Sequence, residues 1–138
     1  MLVKVFGSAV YGVEAITITI EVDIISGAQT GYFIVGLPDN AVKESTERVL
    51  AAIKNTGFER PRNKVVVNMA PADIRKAGSA YDLPIAMGML AASGQVPAAE
   101  LDKYIIMEDV QIGPILENLK VVAVCGDGLE SKLAPLIS

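Results

Sequence analysis

Glu14–Ile25 reads EAITITIEVDII. Ala15, Thr17, Thr19, Glu21 and Asp23 fall on one side, and Ile16, Ile18, Ile20, Val22 and Ile24 on the other. An alternation of period two over so many residues specifies a β-strand with one buried face and one wetter face. Residues 2–10 alternate more loosely and read as a second strand. Ser26-Gly27 and Gly31 punctuate the chain, and Tyr32–Val35 reads as a short partner strand. Gly36-Leu37-Pro38-Asp39 then opens a helix that Asp39 or Asn40 can cap. Val42, Thr46, Val49, Leu50 and Ile53 form its apolar stripe. Gly57 sits where a left-handed C-cap belongs. Lys64–Met69 is apolar enough for a central strand. Asp82 reads as the cap of a second helix, with Pro84 tolerated in the first turn. From Leu83 to Ala92 that helix has no polar face, so it is covered on all sides or by a neighbouring domain or subunit. Tyr104–Met107, Val110–Ile112 and Val121–Cys125 read as further strands, and Leu129–Ile137 as a last helix. The expectation is one α+β domain over residues 1–138, a mixed sheet with helices packed on it.

Composition narrows the chemistry. The 138 residues are 51% hydrophobic but only 5% aromatic, with a mean hydropathy of +0.43, so the core is aliphatic. No run approaches the ~18 uninterrupted apolar residues of a membrane span. The start, MLVKVFGSAVYG, lacks the basic-then-apolar order of a signal peptide. With a single cysteine, Cys125, no internal disulfide can form. A cytoplasmic location follows as the expectation. The chain has no histidine, which removes Ser-His-Asp and Cys-His machinery and leaves almost no basis for a zinc site. No GxxxxGK[ST] phosphate loop occurs, and CGDG and GSAVYG lack the G-x-G-x-x-G spacing. Glu108 and Asp109, adjacent on a strand, would point to opposite faces, so shared acid-base work or a metal cage is not expected of them.

The net charge of −4 argues against a general nucleic-acid coat, but its distribution is uneven. Arg60, Arg62, Lys64, Arg75 and Lys76 fall within one window of net charge +4, leaving −8 for the rest of the chain. This is either an edge that faces phosphate or two solvated loop rims. Arg75 and Lys76 could hold an anion near the N-terminus of the following helix, or pair with an acidic neighbour across a subunit boundary. Ser79 follows Gly78 just before that helix, with Lys76 three residues upstream and Lys120 as another lysine that a Ser-Lys dyad could use. Such a dyad needs a desolvated lysine. Lys76, in a polar loop beside Arg75, is not expected to be one, so Ser79 also reads as a turn hydroxyl.

Three strings, VFGSAVYGVEA, GLPDNAVKESTERVLAAIKNTGF and VVVNMAPADIRKAGSAYDLPIAMGMLAASGQVP, resemble the N-terminal domain of the magnesium-chelatase-like AAA+ ATPases of the ComM/YifB family. These are linked to DNA uptake and recombination, with branch migration as the implied activity. The resemblance runs from about residue 3 to residue 107 and implies the fold shared by the Lon protease catalytic domain, the C-terminal domain of RadA and domain 2 of a small-subunit ribosomal protein. The Lon serine position is filled by Tyr81, with Ser79 two residues early, which implies a protease scaffold without its nucleophile. Glu108–Ser138 departs from the family pattern, and Lys120 is a weak match for the Lon lysine. The chain stops before any ATPase module, as an excised domain or a divergent relative would.

The resemblance therefore implies a non-catalytic module of a ring-forming homo-oligomer. It would touch DNA or the AAA+ module of its own chain through Arg75, Lys76, Arg60, Arg62 and Lys64, with no membrane partner and no cofactor of its own. ATP and Mg2+ would belong to the missing module. The alternatives are a Lon-type Ser-Lys peptidase using Ser79 and a purely architectural oligomerisation domain.

Overall fold

The structure, a computed structural model, describes residues 2–11, 14–27, 29–76, 81–99, 101–103, 105–108 and 121–124. Strand β1 (Leu2–Tyr11) and strand β2 (Glu14–Ile25) pair antiparallel from Leu2↔Asp23 to Tyr11↔Glu14. Strand β4 (Lys64–Ala70) runs antiparallel along the other side of β2, and β3 (Gly31–Val35) lies parallel to β4 at the edge. Strands β5 (Ile105–Glu108) and β6 (Val121–Val124) continue the sheet in parallel beyond β1. The spatial order is β3-β4-β2-β1-β5-β6, the mixed α+β arrangement expected. The expected strand at 110–112 and helix at 129–137 lie outside the described residues.

Tyr32–Val35, which reads in sequence as a short partner strand, pairs with β4. The chain between β3 and β4 is helical, and a helical crossover joins parallel neighbours more readily than it lets a strand double back. That crossover is itself broken. Helix α1 (Asn40–Lys43) and helix α2 (Ser45–Asn55) meet at Glu44. Asp39 caps the first: its Oδ1 accepts a hydrogen bond from Val42 N at 2.8 Å.

The β2 alternation is realised as read. Ile18, Ile20 and Val22 are buried, together with Val3 and Val5 of β1 and Val65, Val67 and Met69 of β4. Helix α3 (Asp82–Ala92) covers this face and packs against β1, β2 and α2. All eleven of its residues are buried. Burying each Leu, Ile or Met there stabilises the fold by about 1.5–3 kcal/mol. Gly88 allows the close approach, because a Cβ at that position would sit 2.5 Å from Val22 Cγ2. The opposite sheet face is covered by no described helix. Leu2, Ile25, Phe33 and Val35 are exposed, and the alternation of the paired strands places all four on that face.

Beyond β3 the chain makes a narrow turn. Gly36 has φ +111°, and a Cβ there would lie 2.0 Å from the Met69 carbonyl oxygen, so only glycine passes. Leu37 follows with φ 56° and is also exposed. Its carbonyl accepts from Lys76 N at 3.0 Å, and Asp39 N donates to Lys76 O at 2.9 Å. These two bonds zip the entry of the α1–α2 crossover to the loop after β4.

Candidate functional site

The basic window divides at strand β4. Arg60 and Arg62 precede that strand and Arg75 and Lys76 follow it. Its seven residues separate the two groups by about 20 Å. The single phosphate-facing edge weighed in the sequence is therefore two rims at opposite ends of one strand.

The loop after β4 begins with a cis Ala70–Pro71 peptide. Lys76 is fully buried there, contrary to the expectation of a solvated loop base. Its ammonium donates to the Pro71 carbonyl. Desolvation lowers its pKa from the usual lysine value, while the negative charge of Asp73 pulls in the opposite direction. The backbone bonds to Leu37 and Asp39 draw this residue inward, so Lys76 is not presented to an external phosphate. Arg75 is exposed at the same rim. Ser79 and Lys120 lie outside the described residues. Tyr81, which fills the implied nucleophile position, is buried at the N-terminus of α3 and makes no side-chain cap. Asp82 is not the cap either. It is the first helical residue, and Arg48 takes its carboxylate in a fork, Nε to Oδ2 at 2.6 Å and Nη2 to Oδ1 at 3.1 Å. Arg48 Nη2 also donates to the Ala41 carbonyl at 2.7 Å. This pair ties α1, α2 and α3 together and belongs to the scaffold.

The other rim is built differently. Helix α2 ends at Asn55, Gly57 turns the chain with φ 92°, and Phe58 comes back onto the core, its N–H donating to the Ile53 carbonyl at 3.0 Å. Residues 59–62 then cross to β4 without regular structure of their own, and side chains from elsewhere hold their backbone. Gln95, just past the end of α3, accepts from Glu59 N through Oε1 at 2.8 Å and donates to Glu59 O through Nε2 at 2.7 Å. The Tyr32 hydroxyl donates to Pro61 O at 2.6 Å, and the Thr30 hydroxyl donates to Arg62 O. The polar backbone is thus engaged inward while the Arg60 and Arg62 side chains stay exposed. Lys54, on the last turn of α2, joins them. The ammonium of Lys64 lies 5.2 Å from the centre of the Phe33 ring, a cation–π distance.

Beside the loop of residues 59–62 lies an open cleft of about 590 Å³, lined among others by Tyr32, Lys54, Phe58, Glu59, Arg60 and Arg62. Three cations and one carboxylate face it with two aromatic rings. Among the described residues no ion pair to Lys54, Arg60 or Arg62 occurs, whereas Arg48 pairs with the exposed Glu44 and the buried Asp82. Sequence reading found Arg60 and Arg62 but missed Lys54, Tyr32, Phe58 and Gln95. No local pattern joins residues 30, 58 and 95. The register Gly31↔Lys64 and Tyr32↔Val65 brings the first two segments together, and the end of α3 supplies the third. No group of three or more His, Cys, Asp or Glu that could hold a metal occurs among the described residues. No described helix is long and apolar enough to cross a membrane.

Known proteins share much of this chain. Residues 20–125 match the family model described as subunit ChlI of Mg-chelatase. The chain is 47% identical over 111 residues to the uncharacterized protein YifB of Escherichia coli (strain K12), covering 80% of this chain and 22% of that protein. It is 45% identical over 103 residues to the competence protein ComM of Haemophilus influenzae, covering 75% and 20%. An uncharacterized protein of Mycobacterium tuberculosis (strain ATCC 25618 / H37Rv) is 35% identical over 109 residues, covering 79% and 22%. The chain thus spans about a fifth of the length of the curated relatives it matches.

Proposed function

Because the chain belongs to the family of the Mg-chelatase ChlI subunit, together with YifB and ComM, we propose that it is a non-catalytic module of a longer, ring-forming AAA+ ATPase. Its task is to contact DNA during uptake or recombination, and to pack against neighbouring copies and the motor. The name of one relative, a competence protein, supports the DNA reading. ATP and Mg2+ would bind elsewhere in the longer protein, since this chain has no GxxxxGK[ST] loop. The exposed apolar residues Leu2, Ile25, Phe33 and Val35, on the sheet face that no described helix covers, supply surface for packing against another subunit.

One observation carries the reading: the backbone of residues 59–62 is held by Gln95, Tyr32 and Thr30 while Arg60 and Arg62 point into an open cleft with Lys54. A loop fixed in place loses little entropy when it meets a polyanion. The test is binding of labelled DNA by anisotropy over a salt series. Each phosphate neutralised contributes about −0.7 to −0.9 to the slope of log K against log salt. Arg60→Ala/Arg62→Ala should flatten that slope by about 1.5–2. Equal binding by parent and variant at every salt concentration removes this rim from the interface.

A second reading has one observation in its favour. Lys76 is buried and its pKa is lowered, which is what a Ser-Lys peptidase asks of its base. Its ammonium is engaged by the Pro71 carbonyl. Covalent labelling of Ser79 by an acylating probe, abolished in Ser79→Ala, would support the peptidase; a folded, unlabelled protein would leave the binding module.

A further inference from the structure

We propose that the cleft between α2 and the start of β4 takes an unpaired nucleotide, so that the ligand of this rim is single-stranded nucleic acid rather than duplex. The inference rests on the DNA-contact reading and sharpens it.

The cleft lining combines two kinds of group. Lys54, Arg60 and Arg62 are phosphate-seeking, and Tyr32 and Phe58 are aromatic rings at the same opening. A groove of cations tracks a backbone and aromatic rings receive bases; their combination is the general chemistry of single-strand binding. Cations alone would suit any polyanion. The rings are the added observation, in a chain where aromatic residues are only 5% of the total.

Shape points the same way. A volume of about 590 Å³ is in the range of pockets that enclose a small ligand, roughly 300–1,000 Å³. A stacked duplex is convex and offers only phosphates to such a hollow, whereas a single strand can turn one base inward. Glu59 at the cleft wall makes the same distinction. A carboxylate among cations opposes a bare row of phosphates, but it can accept from the amino edge of a base.

The cleft is also held ready. The Tyr32 hydroxyl donates to the Pro61 carbonyl and so fixes its ring against the loop that carries both arginines. Phe58 is seated partly on the core. Gln95 clasps both backbone polar atoms of Glu59. Each wall is thus tied to another element of the fold.

The experiment uses the full chain and three labelled probes of equal length: a mixed-sequence single strand, its duplex, and a strand of abasic sites with the same phosphates. Base contacts of this kind are expected to make the single strand bind about tenfold tighter than the other two. Arg60→Ala/Arg62→Ala should weaken all three. Tyr32→Leu and Phe58→Leu should each reduce the preference for the single strand over the abasic strand. As a readout that does not depend on the stability of those variants, a bromodeoxyuridine strand bound to the parent protein should photocrosslink to peptides containing Tyr32 or Phe58. Equal affinity for the single and abasic strands, or crosslinks that map elsewhere, would overturn the nucleotide site while leaving a phosphate-contacting module. Absence of binding to all three probes would overturn the DNA reading together with it.

Discussion

Replacing Gly88 by alanine should weaken this protein, although the same change in the middle of an exposed helix stabilises it by about 1 kcal/mol. The reason is the distance at which α3 rides on the sheet. An added Cβ would lie 2.5 Å from Val22 Cγ2, 3.3 Å from Val22 Cβ and 3.4 Å from Val5 Cγ2. Val22 and Val5 are both fully buried, and a β-branched side chain has little rotamer freedom with which to retreat. Overpacking of this kind costs about 1–3 kcal/mol. Set against the propensity gain, the net change is a loss of up to about 2 kcal/mol.

A double-mutant cycle isolates the cause. Val22→Ala alone removes two buried methyl groups, about 1.6 kcal/mol of transfer energy, plus a term for the cavity, about 2–3 kcal/mol together. In that background the closest clash is gone, so Gly88→Ala should become neutral or stabilising. The coupling between the two sites is then about 2 kcal/mol, well outside the additivity expected of independent sites. Urea unfolding of the four proteins measures it, provided the m-values stay equal. If Gly88→Ala raises the midpoint in the parent, or shifts it equally in both backgrounds, the close packing of α3 on β2 is not what the glycine serves.

Further outcomes follow from the same geometry. Arg48→Met should cost about 2–4 kcal/mol, because the Asp82 side chain is only 5% exposed and loses its forked partner; a loss under about 0.5 kcal/mol in urea unfolding, the scale of a solvated surface pair, would contradict this. The lowered pKa of Lys76 sets a pH dependence. Its folded form binds the proton more weakly than the unfolded form, so its burial penalty is full below the lowered pKa and is relieved as pH rises through it toward 10.5. Stability of the parent should therefore rise relative to Lys76→Met over that alkaline window, and parallel curves would refute it. Gln95→Ala removes both bonds to Glu59 and should speed hydrogen exchange of the Glu59 amide by about tenfold, matching about 1.4 kcal/mol of local opening. Unchanged protection there would show that the loop is held by other means.

The periodic elements are legible in the chain's own pattern. Ile18, Ile20 and Val22 declare their buried face through alternation, and α3 declares its burial by having no polar side. Of the two caps the sequence offers, Asp39 and Asn40, the structure uses Asp39, and a cap is legible locally because it and the amide it satisfies lie three residues apart. Asp82 has the same local credentials, yet its carboxylate goes to Arg48, thirty-four positions away. A side chain with two possible partners takes the one that tertiary packing brings nearest. Lys76 reads as a polar loop base, yet its backbone is zipped to residues 37 and 39 and its ammonium is carried inside.

What this sequence determined by itself is whatever depends on neighbours a few positions apart: strand and helix faces, turn glycines, the lack of histidine chemistry and the excess of bases between residues 60 and 76. What only the tertiary structure decided is which distant segments touch. It placed β3 beside β4 rather than β2, separated Arg60 and Arg62 from Arg75 and Lys76 by the length of a strand, and gathered Tyr32, Lys54, Phe58 and Gln95 around one cleft. Period and composition follow from local sterics and solvation. Adjacency across the sheet follows from how the whole set of apolar faces is buried at once, and no short window of residues contains that information.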